Sequence, residues 1–299
     1  MSIENKYEKN ALLTLACFSG FGPVTLKKLY SYFYSWSKAL NANYQNLKQL
    51  NLNDKLINDF LHFRKTFDIK KIINIINKEN IDLLYFKDDN YPPLLKEIPN
   101  PPILLFLKGN KKLLKNKKQL SVVGSRKTNQ YGIYSANELI PKLNKNIIIV
   151  SGLAYGIDSL AHRLALNNQQ KTIAVLGSGV DNNSIYPKEN QSLANEIIIN
   201  NGLIISEFPP LSPPLKHHFP QRNRILAGLS MASLVIQAKK KSGALITAYM
   251  ALDFNREVLT VPANINLQYS QGNNQLIKNG AKVILNYKDI EESLNIDSS

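Results

Sequence analysis

From residue 120 onward the chain alternates short, uninterrupted apolar runs with amphipathic stretches, and few folds accommodate that rhythm. LSVVGS (120–125), IIIVSG (147–152), TIAVLGS (172–178), LIISE (203–207), SLVIQA (233–238) and EVLTVPA (257–263) read as strands. Helices are expected from Tyr131, from Asp158, over 189–200, from Arg222 and from Ala244, and a last helix NQLIKNG leads into a strand AKVIL. Strands with no polar alternation are buried on both faces, which requires helices on both sides of a parallel sheet. The expected fold class is therefore α/β, an extended Rossmann-like, doubly wound and mainly parallel sheet. Gly and Ser close several of the strands, at the end where open α/β sheets hold ligands.

A different pattern precedes this sheet. ALLTLACF, VTLKKLYSYF, NLKQL and KLINDFLHFRK carry apolar residues at helical spacing, so residues 1–68 are expected to form a small all-α domain. Residues 69–290 then form the sheet domain, beginning with a helix IKKIINIINKEN and strands IDLLYF and PPILLFLKG, and residues 291–299 form a tail. The turn Ser19-Gly20-Phe21-Gly22-Pro23 resembles that of a helix-hairpin-helix unit, where backbone N–H groups meet phosphate. The same turn also serves small helical bundles merely to change direction, which is the preferred reading.

Charge narrows the partner class only loosely. The 299 residues carry a formal net charge of +15, as expected of a protein that meets a polyanion. The densest run, KGNKKLLKNKK at 108–118, is read as a flexible, solvated linker. A single cysteine, Cys17, excludes a disulfide scaffold, and it is read as buried filler on an apolar helix face. No apolar run is long enough to cross a bilayer, so no membrane association and a cytoplasmic location are expected.

Neither GxGxxG nor GxxxxGK[ST] occurs, which removes support for hydride transfer and for P-loop ATP hydrolysis. The first strand instead runs into Gly124-Ser125-Arg126-Lys127-Thr128, where hydroxyls, a guanidinium and a following helix start suit phosphate. Arg126 as a cap on strand-end carbonyls is the alternative. In SGLAYGIDSLAH the small residues around Gly152 allow a ligand close to the backbone. Asp158 and His162 are read as a helix cap and a local hydrogen bond rather than as an acid–base pair. LKHHFPQRNR interleaves rings and cations, a pattern suited to single-stranded nucleic acid. Pro220 is expected to open its helix. One of Arg222 and Arg224 should then meet the ligand while the other braces neighbouring loops. His217 and His218 lack a third ligand nearby, and neither a metal nor a cofactor is expected.

Taken in order, VVGSRKTNQYG, VSGLAYGIDSLAH, TIAVLGSGVDNNSIYPKEN, LIISEFPP, FPQRNRILAGLS, SGALITAYMAL and GNNQLIKNGAKV resemble the motifs of the DNA-processing protein A (DprA/Smf) family. The resemblance covers about residues 8–290. It implies a bacterial cytoplasmic protein that binds single-stranded DNA in natural transformation, forms a homodimer and loads RecA recombinase. It also implies a Rossmann-like core often preceded by a SAM-like helical domain. By motif, Arg126 corresponds to a phosphate-binding arginine, and Lys188, Lys216 and Phe219 to basic and stacking DNA contacts. Arg222, Asn223 and Arg224 fall on an RNR motif. Ser125, Lys127, Gly152, Ser242 and Gly243 complete the implied nucleic-acid site, while Asn274, Ile277 and Val283 fall on the implied dimer face. Gln237 stands where the family usually has Glu, Ala263 where it has Gly, and Lys239-Lys240-Lys241 precede the SG pair. The chain stops soon after the last strand, so the winged helix found at the C-terminus of many members is expected to be absent.

Two functions compete. One is a non-enzymatic, strand-binding recombination mediator. The other is a Rossmann-like enzyme that binds or cleaves small nucleotides and needs a catalytic carboxylate, such as Glu207. No catalytic residue is expected under the first.

Overall fold

A computed structural model describes residues 5–296. Among these the chain opens with helices α1 (Lys6–Cys17), α2 (Pro23–Phe33), α3 (Trp36–Leu40), α4 (Tyr44–Lys48), α5 (Asp54–Thr66) and α6 (Ile69–Lys78). Side chains of Asn5, Ser35, Asn43, Asn53 and Asp68 accept N–H groups at five of these helix starts, each worth about 0.5–2 kcal/mol. The glycine turn is shaped by packing: a Cβ on Gly20 would lie 2.5 Å from the Leu56 side chain. Phe18 and Phe21 meet edge to face at 4.8 Å beneath it.

The remaining elements alternate. They are β1 (Asp82–Tyr85), α7 (Pro93–Glu97), β2 (Leu104–Gly109), β3 (Gln119–Gly124), α8 (Gln130–Leu139), β4 (Ile148–Ser151), α9 (Ile157–Asn167) and β5 (Thr172–Val175). Then come α10 (Gln191–Ile199), β6 (Leu203–Ser206), α11 (His218–Leu229), β7 (Ala232–Gln237), α12 (Gly243–Asp253), β8 (Glu257–Thr260), α13 (Gln271–Lys278), β9 (Lys282–Val283) and α14 (Tyr287–Ser293). They build one sheet in the order β1-β2-β6-β5-β4-β3-β7-β8-β9. From β6 to β9 all neighbours are parallel, whereas β2 lies antiparallel to β6 and β1 to β2. This is the expected Rossmann-like, mainly parallel α/β sheet.

Both sheet faces are buried, which explains the uninterrupted apolar strands. On one face Val123, Val150, Val175 and Val235 pack with Ile225 and Leu226 of α11 and Ala248 of α12. Leu120, Val122, Ile149 and Leu234 pack on the other face with Ala136 of α8, Ala161 of α9 and Ile290 of α14. The helical unit is continuous with this second side: Leu12, Leu29, Trp36 and Phe60 share a core with Phe106 of β2 and Ile204 of β6. Helix α6, assigned from sequence to the sheet domain, places Ile72 in that helical core. Residues 291–296, read as tail, are packed instead, with Leu294 and Ile296 buried; residues 297–299 lie outside the described residues.

The lysine run also departs from expectation, being ordered. It comprises the end of β2, a 3₁₀ turn over Lys111–Lys115 and the approach to β3. Because Gly109 pairs with Leu203 at the start of β6, the run lies at the end of the sheet opposite the parallel strands' C-termini. Lys108 pairs with Glu79 and Lys111 with Asp82, both at 2.8 Å. Among the described residues no helix is long and apolar enough to cross a membrane.

Candidate functional site

The chain travels β3, β4, β5, β6 in one direction across the sheet, then returns to place β7, β8, β9 on the other side of β3. The connections leaving β3 and β7 therefore diverge, and the gap between them is where such sheets hold ligands. A cleft of about 830 Å³ opens there. Its walls are the loop 123–127 after β3, the segment 239–247 after β7, and the approach to α11 from Pro214 to Asn223.

The loop after β3 is shaped by Gln237. At this point the β3–β7 register slips, pairing Gly124 with Gln237. The Ser125 N–H donates to the Gln237 carbonyl at 2.7 Å. The Gln237 side chain is fully buried; its Oε1 accepts from Thr128 Oγ1 at 3.0 Å and from the Asn129 N–H at 3.2 Å. Its Nε2 donates to Asn129 Oδ1 at 2.7 Å and to Ser270 Oγ at 3.3 Å. Asn129 Oδ1 also accepts the Gly132 N–H at 3.1 Å, so turning that amide over would break the cap of α8. A carboxylate at 237 has no N–H to give and would face Asn129 Oδ1 directly. The amide thus fits its surroundings. Gly156, at φ 75°, passes so close that a Cβ would lie 2.2 Å from the Ser125 carbonyl. Ser125 Oγ is turned inward, donating to the Lys127 carbonyl at 2.8 Å. Arg126 and Lys127 are left exposed at the tip, and neither is engaged in an ion pair among the described residues.

Opposite Arg126 stands Phe219, half-buried, with the guanidinium carbon 5.2 Å from its ring centroid. The ring backs onto Gly177, where a Cβ would come within 3.2 Å, and the Tyr186 ring lies tilted 5.9 Å away. Lys216 is exposed at the lip. A cation over a ring beside a second exposed ring offers a planar base a stacking face and a phosphate a counter-charge.

Beneath this wall the chemistry changes to buried charge. Arg222 is 3% exposed and its Nη1 donates to the Val175 carbonyl at 2.5 Å. Burial pulls its guanidinium down to about 10, opposed by Asp158 and helped by Arg126. Asp158, near the start of α9, is also buried; desolvation raises its carboxyl against the Arg222 charge and the backbone N–H of Ala154. Below them His162 is held near 3 by burial and by Arg222, and its Nδ1 lies 2.6 Å from Thr172 Oγ1. Asp158 and His162 are therefore floor groups with separate partners. Arg224 turns away from the cleft to pair with buried Glu207, whose carboxyl burial raises against that partner. Of the RNR motif, Arg222 lines the cleft and Arg224 braces a neighbouring loop. Even so, Arg222 reaches the cleft from below, as its floor. Asn223 Nδ2 donates to the Gly243 carbonyl at 3.3 Å, fixing the first turn of α12, and Ser242 Oγ is buried there without a partner among the described residues.

The structure thus brings Ser125, Arg126, Lys127, Lys216, Phe219, Arg222, Asn223, Ser242 and Gly243 to one cleft. Gly152 is not a wall residue. It is buried under Arg222, and a Cβ there would lie 1.9 Å from Arg222 Nη1. Lys188 is exposed outside the lining, which takes Tyr186 from the same YPKEN stretch instead. Tyr186, Lys239 and Lys241 are wall residues that the sequence reading did not select; the lysines before Ser242-Gly243 were visible as a departure from the family pattern. His218 stacks on Phe208 at 3.8 Å and sends Nδ1 toward the Gly177 carbonyl at 3.2 Å. Pro220 is the third residue of α11, two after its start. On the far edge, Asn274 exchanges hydrogen bonds with Ala263 at 3.2 and 2.8 Å, while Ile277 is half-buried and Val283 is 36% exposed on β9.

A doubly wound sheet that opens at its switch point on cations and rings, with no dinucleotide fingerprint, is a Rossmann-like protein with an anion-receptive, base-receptive mouth. Comparison with known proteins narrows this class. The chain belongs to the DNA recombination-mediator protein A family, whose model matches residues 82–295. It is 46% identical over 203 residues to DNA processing protein DprA of Streptococcus pneumoniae, covering 68% of this chain and 71% of that one. It is 39% identical over 227 residues to DprA of Bacillus subtilis, covering 76% and 75%. The X-ray structure of the Streptococcus pneumoniae protein superposes with a TM-score of 0.80 at 35% identity over 98% of each chain. A Helicobacter pylori DNA processing protein A, described for its single-stranded DNA binding mode, gives 0.64 at 30% identity over 72% of this chain and 95% of that one.

Proposed function

We propose that the cleft binds single-stranded DNA and that the protein is a non-enzymatic recombination mediator. It takes up the incoming strand in natural transformation as a cytoplasmic homodimer and loads RecA on it. The observation that carries this reading is Arg126 over the Phe219 ring, with Tyr186 and Lys216 beside it, at the mouth of the β3–β7 gap. A ring presented this way needs an unstacked base, which a single strand offers and a duplex does not. The relatives support the reading through their DNA-processing names and the single-strand binding described for the Helicobacter pylori protein. Glu207, a candidate carboxylate for the nucleotide-cleaving alternative, is tied to Arg224 away from the cleft.

Anisotropy titration of labelled single- and double-stranded oligonucleotides tests the binding. Clear preference for the single strand is expected, and equal affinity refutes the reading. Release of free base from nucleoside monophosphates would establish the enzyme instead. RecA filament growth on protected single strands, with and without the protein, tests loading. Light scattering of Ile277→Glu tests the dimer: Ile277 is only half-buried, so a folded monomer is the expected product.

A further inference from the structure

Three hollows in this molecule share walls. Pro214, Lys216 and Phe219 face the cleft, while their neighbours Pro213, Leu215 and His217 face a second hollow of about 360 Å³. The far wall of that hollow is the glycine turn at 19–22 between α1 and α2. Pro23 and Ile103 line both this hollow and a third one, a groove of about 400 Å³ between the helical unit and β1–β2. Tyr30, Tyr34 and Phe86 line the groove with Lys27 and Lys87, above the buried rings of Trp36 and Tyr85, and no carboxylate is among its lining residues.

We propose that a single strand held in the cleft continues over the glycine turn and seats further bases in the aromatic groove of the helical unit. This rests on the cleft being a single-strand site. The groove repeats the cleft's chemistry: Lys87 Nζ sits 4.0 Å from the centroid of the Tyr30 ring, as Arg126 sits over Phe219. Tyr34 is 80% exposed, so its ring is open to a base at the groove. Among the residues lining the second hollow the one carboxylate, Glu207, is neutralised by Arg224. Gly22 presents open backbone with nothing within 4 Å of its Cβ position, so a phosphate can approach the start of α2 closely.

The test is a length series of oligothymidylates, from about 4 to about 30 nucleotides, a span that brackets the site sizes of single-strand binders. The proteins compared are the wild type, Lys27→Gln/Tyr34→Asn and a charge control, Lys65→Gln, on α5 outside all three hollows. Asn suits position 34 because its φ is 52°, a left-handed value that Asn tolerates. The wild type should gain affinity with length after the cleft is filled. The double variant should bind the shortest strands unchanged and lose at least about fivefold on the longest, the lower end for one lost base stack. Absence of a length gain in the wild type overturns the path, as does a double variant that keeps the gain; a groove reserved for a proline-rich peptide gives that second result. An equal loss in Lys65→Gln also overturns it, since bulk charge then suffices. Failure of the shortest strands to bind the wild type sinks the cleft reading itself, whereas failure confined to long strands sinks only this extension.

Discussion

The two ends of the parallel sheet are both rich in cations and are built on opposite principles. At the strand C-termini, Arg126, Lys127, Lys216, Lys239 and Lys241 converge on one cleft whose floor holds buried Arg222 and Asp158, each sensing the other's charge. At the other end six lysines between 108 and 118 run along the surface, where Lys108 and Lys111 are taken up by Glu79 and Asp82. Gathered around one cleft, cations meet a phosphate together, whereas the long-range field of scattered lysines is screened within about 8–10 Å. Total charge is a poor guide to where a polyanion sits.

The largest expected effect lies under the cleft. Arg222→Met keeps bulk but removes the donor to the Val175 carbonyl and the charge that offsets the burial of Asp158, and should cost up to about 3 kcal/mol in urea unfolding. Gly152→Ala should approach the same loss by evicting the guanidinium, whereas Lys111→Gln at the far end should leave stability within about 0.5 kcal/mol. Equal effects at the two ends would erase the distinction. Next comes Phe219→Ala, which should weaken single-strand binding by about 1–3 kcal/mol in anisotropy titrations while far-UV circular dichroism stays unchanged.

A smaller effect comes from His162. Its folded-state value, near 3, lies below the unfolded value of 6.5, so the stability it contributes is present above pH 6.5 and is lost as pH falls toward 3. Between about pH 7 and pH 5 the wild type should therefore lose on the order of 1–2 kcal/mol more than His162→Gln does. Parallel pH profiles would show that the cleft floor is not a dry polar layer. Smallest is the joint change of Lys111, Lys112, Lys115, Lys117 and Lys118 to Gln, which should weaken binding at physiological salt less than Arg126→Ala alone. Arg126→Ala should also lower the steepness of log K against log salt by about 0.7, the share of one ordered phosphate contact on a single strand. The reverse ranking would make binding diffuse.

The sheet was legible because burial on both faces leaves apolar runs that only strands of this class carry, and the RNR stretch was legible because it alternates rings and cations. What escaped was set by contacts distant in sequence. Gly152 advertised a close approach, but a sequence does not say to what, and the approaching group is Arg222 of the chain itself. In YPKEN the lysine drew attention by charge, while the fold turns Tyr186 toward Phe219. Gln237 read as a lost acid; its value lies in donating and accepting at once among Thr128, Asn129 and Ser270. The lysine run read as loose because no local signal revealed Glu79 and Asp82 as its partners.

The strand order carries a consequence for how the chain comes together. β2 and β3 are neighbours in sequence, yet β6, β5 and β4 stand between them in the sheet. Phe106 thus waits for Ser206, a hundred residues later, before its pairing partner exists. During synthesis the helical unit and the β1–β2 hairpin emerge first, with the apolar edge of β2 unpaired until β6 has been made and seated beside β5. Contacts of such long sequence separation slow folding and lengthen the life of sticky partial structures. Substitutions that loosen β6 should accordingly reveal themselves first as lost soluble yield, before any change in the purified protein.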